Sequence, residues 1–191
     1  AAVPLAALAF ETGGGQVGNY LTRHALPLLD KAVARAPDDV PALEARGFAL
    51  FAQGRLDEAL QALEAALAKA PEREQALTWA AEVAAAQDRL DLAEKYGRRL
   101  TEAYPQFPGH HERLALIQLR RQAWPEALAA AQTAVRLDPF RPEARALLIM
   151  ASLETGNRAR AQAEFDVLGV IDPGYQQKLR PQFAERLQRT K

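Results

Sequence analysis

Apolar residues return along this chain every three to four positions, in runs of about a dozen residues. Leu43 with Leu50, then Leu63 with Leu67, mark two successive runs of one unit, and Leu114, then Leu128 with Val135, mark two runs of another. That period places the apolar residues of a run on one side of an α-helix, whereas a strand would show strict alternation. Each run is cut by a turn signal near Gly54, Asp88, Gln122 and Gly156, and each following run ends at a proline. The pattern therefore predicts pairs of amphipathic helices. Proline lacks the amide hydrogen and biases its predecessor out of the helical region, so Ala36, Ala70, Tyr104, Asp138 and Asp172 are expected outside helices. Pro41, Pro125 and Pro142 fall where a first helical turn is expected, the one place where a missing amide costs little.

The pairs recur at a fixed interval. Pro37, Pro71, Pro105, Pro139 and Pro173 are spaced by 34 residues, as are Ala25, Ala59, Ala93, Ala127 and Ala161, with no insertion breaking the register. A constant period of this size means stacked supersecondary units, each too small to bury its own apolar stripe. Gly47, Ala81 and Ala115 recur in the first helices, where small side chains permit close approach to the alanine set in the second.

The stretch GFALFAQGRLDEALQALEAALAKAP, from Gly47 to Pro71, is similar to the tetratricopeptide repeat pattern of spaced glycine, aromatic, alanine and proline. The other units are looser. Asp88 and Gln122 stand in place of the turn glycine, Gly97 in place of a large apolar residue, and Ile149 in place of a small one. The resemblance implies an all-α, right-handed superhelix with four full repeats over 40–173. An apolar and glycine-rich segment (1–18) and a partial repeat (19–39) precede them, with Pro27 expected to shorten or kink the latter's start. A capping helix (174–191) follows, with Leu179, Phe183 and Leu187 on one side and a break expected at Pro181.

Composition narrows function. Nearly half of the 191 residues are hydrophobic (49%), enough for a substantial core. Lys plus Arg and Asp plus Glu number 24 each, so no net field draws the chain to nucleic acid, which is not an expected partner. Arg98, Arg99, Arg120 and Arg121 are dispersed among acids. Cysteine is absent, which excludes disulfides and thiolate chemistry. The single serine, Ser152, lies within a helical run without a nucleophile elbow. His24, His110 and His111 are the only histidines, and adjacent helical residues diverge by about 100°, so the last two are expected at a solvated helix start rather than on a metal. ETGGGQVG lacks the Lys-Ser/Thr ending of a phosphate loop and is expected to be a flexible connector. No catalytic residue, cofactor or metal is therefore expected.

The uncharged opening AAVPLAALAF is too short to span a bilayer. It suggests a leader, an anchor or an apolar first helix, and tilts the expected location towards the periplasm or a membrane-associated state. Membrane association is expected only through this end or through a partner.

In this family the first helices line a groove, so the resemblance implies a protein partner there. Helical spacing selects Glu44, Phe48 and Phe51, then Thr78, Glu82 and Ala85, then Glu112, Leu116 and Leu119, then Ala146, Met150 and Leu153. Glutamates beside apolar anchors fit a peptide or amphipathic helix carrying basic residues. The family's clamp for a C-terminal carboxylate uses Lys and Asn at such places, where this chain has Glu44, Phe48 and Trp79, with Arg113 the only basic match. A second reading is a structural subunit or domain of a larger membrane-associated or exported assembly, held through its ends or its other side.

Overall fold

The computed structural model describes residues 15–189, with side chains placed from 24 to 188. The opening decapeptide, and with it the expectation of a leader or anchor, lies outside the described residues. Those described form ten helices and no strand: α1 (Gly15–Arg35), α2 (Val40–Ala52), α3 (Leu56–Lys69), α4 (Glu74–Ala86), α5 (Leu90–Ala103), α6 (Pro108–Arg120), α7 (Trp124–Leu137), α8 (Pro142–Glu154), α9 (Arg158–Ile171) and α10 (Pro173–Arg189). The chain forms two compact units, one ending at Asp88 and the other beginning at Arg89. None of these helices is long and apolar enough to cross a membrane.

The turns explain the pairing. Gly54, Asp88, Gln122 and Gly156 all have positive φ, at 74°, 59°, 62° and 77°. Each ends the first helix of a pair in a left-handed cap. Gly54 donates to the Phe51 carbonyl at 2.9 Å and Arg55 to that of Leu50 at 3.0 Å, which satisfies the carbonyls that a helix end leaves open. Gln122 with Ala123, and Gly156 with Asn157, repeat the arrangement. Asp88 and Gln122 thus adopt a conformation that favours glycine, at some steric cost.

The five residues preceding the 34-spaced prolines all lie outside helices, as the sequence predicts. Two other prolines behave differently. Pro27 lies inside α1 and Pro181 inside α10, and both helices run on without interruption. In α10 the packing of Leu179 and Phe183 into the core outweighs the one amide bond that Pro181 removes. Of the glycine-rich stretch, residues 15–18 are helical instead of forming a connector, because α1 starts at Gly15; its residues 11–14 lie outside the described residues.

In the first unit α2 packs against α1, α3 and α4, and α3 also packs against α4. Leu50, Leu63 and Leu77 are fully buried there, each stabilising the fold by about 1.5–3 kcal/mol. Gly47 makes the α2–α3 crossing possible, since a β-carbon on it would lie 2.6 Å from Leu63 Cγ and 3.3 Å from the Ala59 carbonyl oxygen.

In the second unit α5 to α10 pack in sequence, and the first helices α6 and α8 also touch. One core joins Leu114, Ala115, Ala130, Ala131, Leu147 and Leu148. A second joins Ile149, Leu153, Ala161, Phe165, Leu168, Leu179 and Phe183, with Phe165 and Phe183 stacked at 4.2 Å. Ile149 and Phe165 together fill the crossing that Gly47 and Leu63 occupy in the first full repeat. Through Leu179 and Phe183, α10 closes the apolar face of the last pair, as solenoid ends require.

Candidate partner-binding surface

The twelve residues singled out from spacing fall into two sets, one in each unit, and not all of them reach the surface. In the first unit, Glu44, Phe48 and Phe51 lie on α2 and Thr78, Glu82 and Ala85 on α4. The aromatic residues meet through a side chain that the spacing argument did not include. Trp79 lies 4.6 Å from Phe48 and 6.1 Å from Phe51, centroid to centroid and tilted in both cases. Phe48 remains 38% exposed. Thr78, Glu82 and Phe51 are half-buried, whereas Ala85 and Glu44 are buried. The result is an aromatic platform with one open edge. In the sequence Trp79 stands out only where the family's carboxylate clamp would have a basic or amide residue, and its meeting with Phe48 and Phe51 is not legible there, since contact across two helices depends on how they cross.

In the second unit, Glu112, Leu116 and Leu119 lie on α6 and Ala146, Met150 and Leu153 on α8. Leu116, Leu119 and Met150 are half-buried against the two cores. Ala146 and Leu153 belong to the core itself, Leu153 at 1% exposure, so Met150 is the α8 member of this set that meets solvent.

The glutamates, expected to meet a partner's basic residues, are engaged by arginines of the chain itself. Glu44 accepts from Arg73 Nε at 2.9 and 3.1 Å, and Glu112 accepts from Arg141 Nη2 at 2.9 Å. Both arginines sit 29 residues onward, at the N-cap of the next first helix. The spacing repeats because both pairs tie neighbouring repeats together at equivalent places. This bond to Glu112, more than any other influence, raises the Arg141 pKa above its ordinary value. Glu154 is likewise paired, with Arg186. Tyr175 packs against the second core, and burial, helped by the nearby Glu143 and Glu112, raises its phenol above the usual range.

A larger buried polar cluster lies away from these surfaces. Glu94 on α5 accepts from Arg98 Nη2 at 2.6 Å and from Gln118 Nε2 at 3.0 Å, and it also pairs with Arg121, which reaches Asp91 as well. Gln118 is 1% exposed and occupies the place that Leu50 holds in the first full repeat. The histidines are engaged too. His110 is buried beside Tyr104 and Phe107, at 5.9 and 5.5 Å, and His111 Nε2 lies 2.9 Å from the Pro105 carbonyl oxygen, so the pair does not form a solvated helix start. Among the described residues no cluster of His, Asp or Glu is arranged to hold a metal ion.

No curated protein matches the chain by sequence. Solved structures of MamA share its fold. A crystal structure of MamA superposes with a TM-score of 0.76 at 15% identity, covering 85% of this chain and 96% of that one. MamA residues 41 to the end from Desulfovibrio magneticus RS-1 give 0.73 at 18% identity, with 84% and 97% covered. MamA AMB-1 gives 0.72 at 22% identity, with 82% and 96% covered. A tetratricopeptide repeat family model matches residues 22–74, 45–108 and 112–175. Those matches take in most of the sequence, and the chain belongs to the tetratricopeptide repeat family.

Proposed function

We propose that this chain is a protein-interaction scaffold whose first unit holds a partner segment on the Phe48, Phe51 and Trp79 platform. The observation that carries this reading is the open edge of Phe48 against Trp79. Aromatic side chains offer large contact area at low conformational cost and are enriched where binding energy concentrates. Leu116, Leu119 and Met150 offer a second apolar surface in the other unit.

The partner's chemistry follows from the charges. Glu44 and Glu112 are already neutralised by Arg73 and Arg141, so apolar anchors in the helix-in-groove manner carry more of the recognition than basic residues do. Opening either ion pair to receive a basic partner would strand an arginine.

The test is co-purification from the native source with the wild-type chain, Phe48→Glu and Leu119→Glu as baits, each checked for unchanged helicity by circular dichroism. A specific partner lost with Phe48→Glu supports the first-unit platform. Loss with Leu119→Glu alone would move the site to the second unit, and unaffected capture by both would reject this reading.

A further inference from the structure

The outer face of α9 departs from its counterpart one repeat earlier. Where α9 has Val167 and Val170, α7 has Thr133 and Arg136, and where the connection before α8 has Phe140, the preceding one has Gln106. Three positions that are polar in one repeat are apolar in the next. All three face solvent, Phe140 at 77%, Val167 at 42% and Val170 at 85% exposure. Arg145 draws the connection and the helix together, since it pairs with Glu164 of α9 and donates to the Pro139 carbonyl at 2.7 Å. Along α9, Ala159, Ala163, Asp166 and Val170 form one exposed stripe, spaced at i, i+4, i+7 and i+11. Asp166 accepts from the Gln162 amide at 2.8 Å, and no cation pairs with it among the described residues.

Helix α1 carries a stripe of the same spacing and the opposite sign. His24, Leu28, Lys31 and Arg35 are all exposed, Leu28 at 66%. The neighbouring acid, Asp30, turns away to Arg46 at 2.7 Å, and no carboxylate pairs with Lys31 or Arg35 among the described residues.

We propose that these two stripes are the halves of one contact between copies of this chain, with α1 of one copy lying antiparallel on α9 of the next. A single register satisfies both. With Lys31 opposite Asp166, Leu28 lies three residues back and Val170 four residues on, about 4.5 and 6 Å along their axes, so the apolar pair meets as well. Arg35 then falls beside Gln162 and Ala163, where there is room. A parallel arrangement would set Arg35 on Val170 and is disfavoured. Two different faces meet, so a pair of copies keeps one unused face of each kind, and assembly continues into chains or rings instead of stopping at a dimer.

Sedimentation velocity of the 191-residue chain tests this, over concentrations bracketing dissociation constants from about 1 μM to 1 mM. Species larger than a dimer are expected to grow with concentration. Leu28→Glu and Val170→Glu, both at exposed positions, should each weaken assembly about tenfold or more. Mixed in equal amounts they should form a heterodimer and nothing larger, because one intact face of each kind survives. Lys31→Asp should weaken assembly, and adding Asp166→Lys to the same chain should restore it. A wild-type chain that stays monomeric, assembly indifferent to Leu28→Glu, a mixture without heterodimer, or a charge swap without rescue would each overturn the proposal.

Discussion

Gly47→Ala is expected to destabilise the first unit even though alanine is the better helix former. The added β-carbon would lie 2.6 Å from Leu63 Cγ and 2.8 Å from Leu63 Cδ2, where ordinary carbon contacts are about 3.5–4.0 Å. Leu63 is fully buried and cannot swing into solvent, and the Ala59 carbonyl oxygen at 3.3 Å blocks the other side. Overpacking of this kind costs about 1–3 kcal/mol. Replacing a mid-helix glycine by alanine returns about 0.5–1 kcal/mol, so the net loss centres on about 1 kcal/mol and reaches about 2.5 kcal/mol at most.

Gly97→Ala is the control. It is also mid-helix, but its β-carbon would meet Leu114 Cδ1 at 3.3 Å and Ile117 Cδ1 at 3.6 Å, both rotatable side-chain ends. There the helical gain should survive, stabilising by about 0.5–1 kcal/mol. Thermal unfolding followed at 222 nm, with urea titration alongside, should place the two variants on opposite sides of wild type, separated by several degrees at about 2–4 °C per kcal/mol. Gly47→Ala melting at or above wild type would show that the α2–α3 crossing yields more readily than the contact distances imply, and the packing argument would fail.

Glu94→Ala should cost about 1–3 kcal/mol in urea unfolding, because it leaves the buried Gln118 amide and two guanidinium groups without their shared acceptor; a loss under 0.5 kcal/mol would mean that water replaces the carboxylate freely. Gln122→Gly should stabilise the second unit by about 0.5–1 kcal/mol by relieving its positive φ, whereas the same change in an ordinary helical position would destabilise; a lowered melting temperature would contradict this. Tyr175 has its pKa raised in the folded state, first by burial, so its contribution is fully present below the unfolded value near 10 and is lost as pH rises through the folded value. Tyr175→Phe should therefore flatten the alkaline arm of the stability profile above about pH 10, and an unchanged arm would sink the assignment.

Helix positions, the 34-residue period and the family were all legible from the chain, because they depend on local properties. Proline geometry, apolar spacing and glycine-type turns act within a few residues, and the positive φ values at Gly54 and Gly156 fall where the sequence marks breaks. Even the exceptions, Asp88 and Gln122, occupy the same conformation, held there by the repeat register. Pro27 and Pro181 mark where local reasoning stopped, since a helix packed along its length tolerates one lost amide bond.

The surface chemistry required the third dimension. Spacing along one helix selected Phe48 and Phe51 but could not bring in Trp79, which joins them only because α2 and α4 pack together. Likewise, Glu44 and Glu112 look available to a partner's basic residues until Arg73 and Arg141, 29 residues away, arrive at the next helix start. A sequence determines which face of each helix is apolar because that follows from a period of 3.6 residues. Which polar groups on neighbouring helices neutralise one another, and which apolar ones stay uncovered, depends on distances that only the packed structure decides.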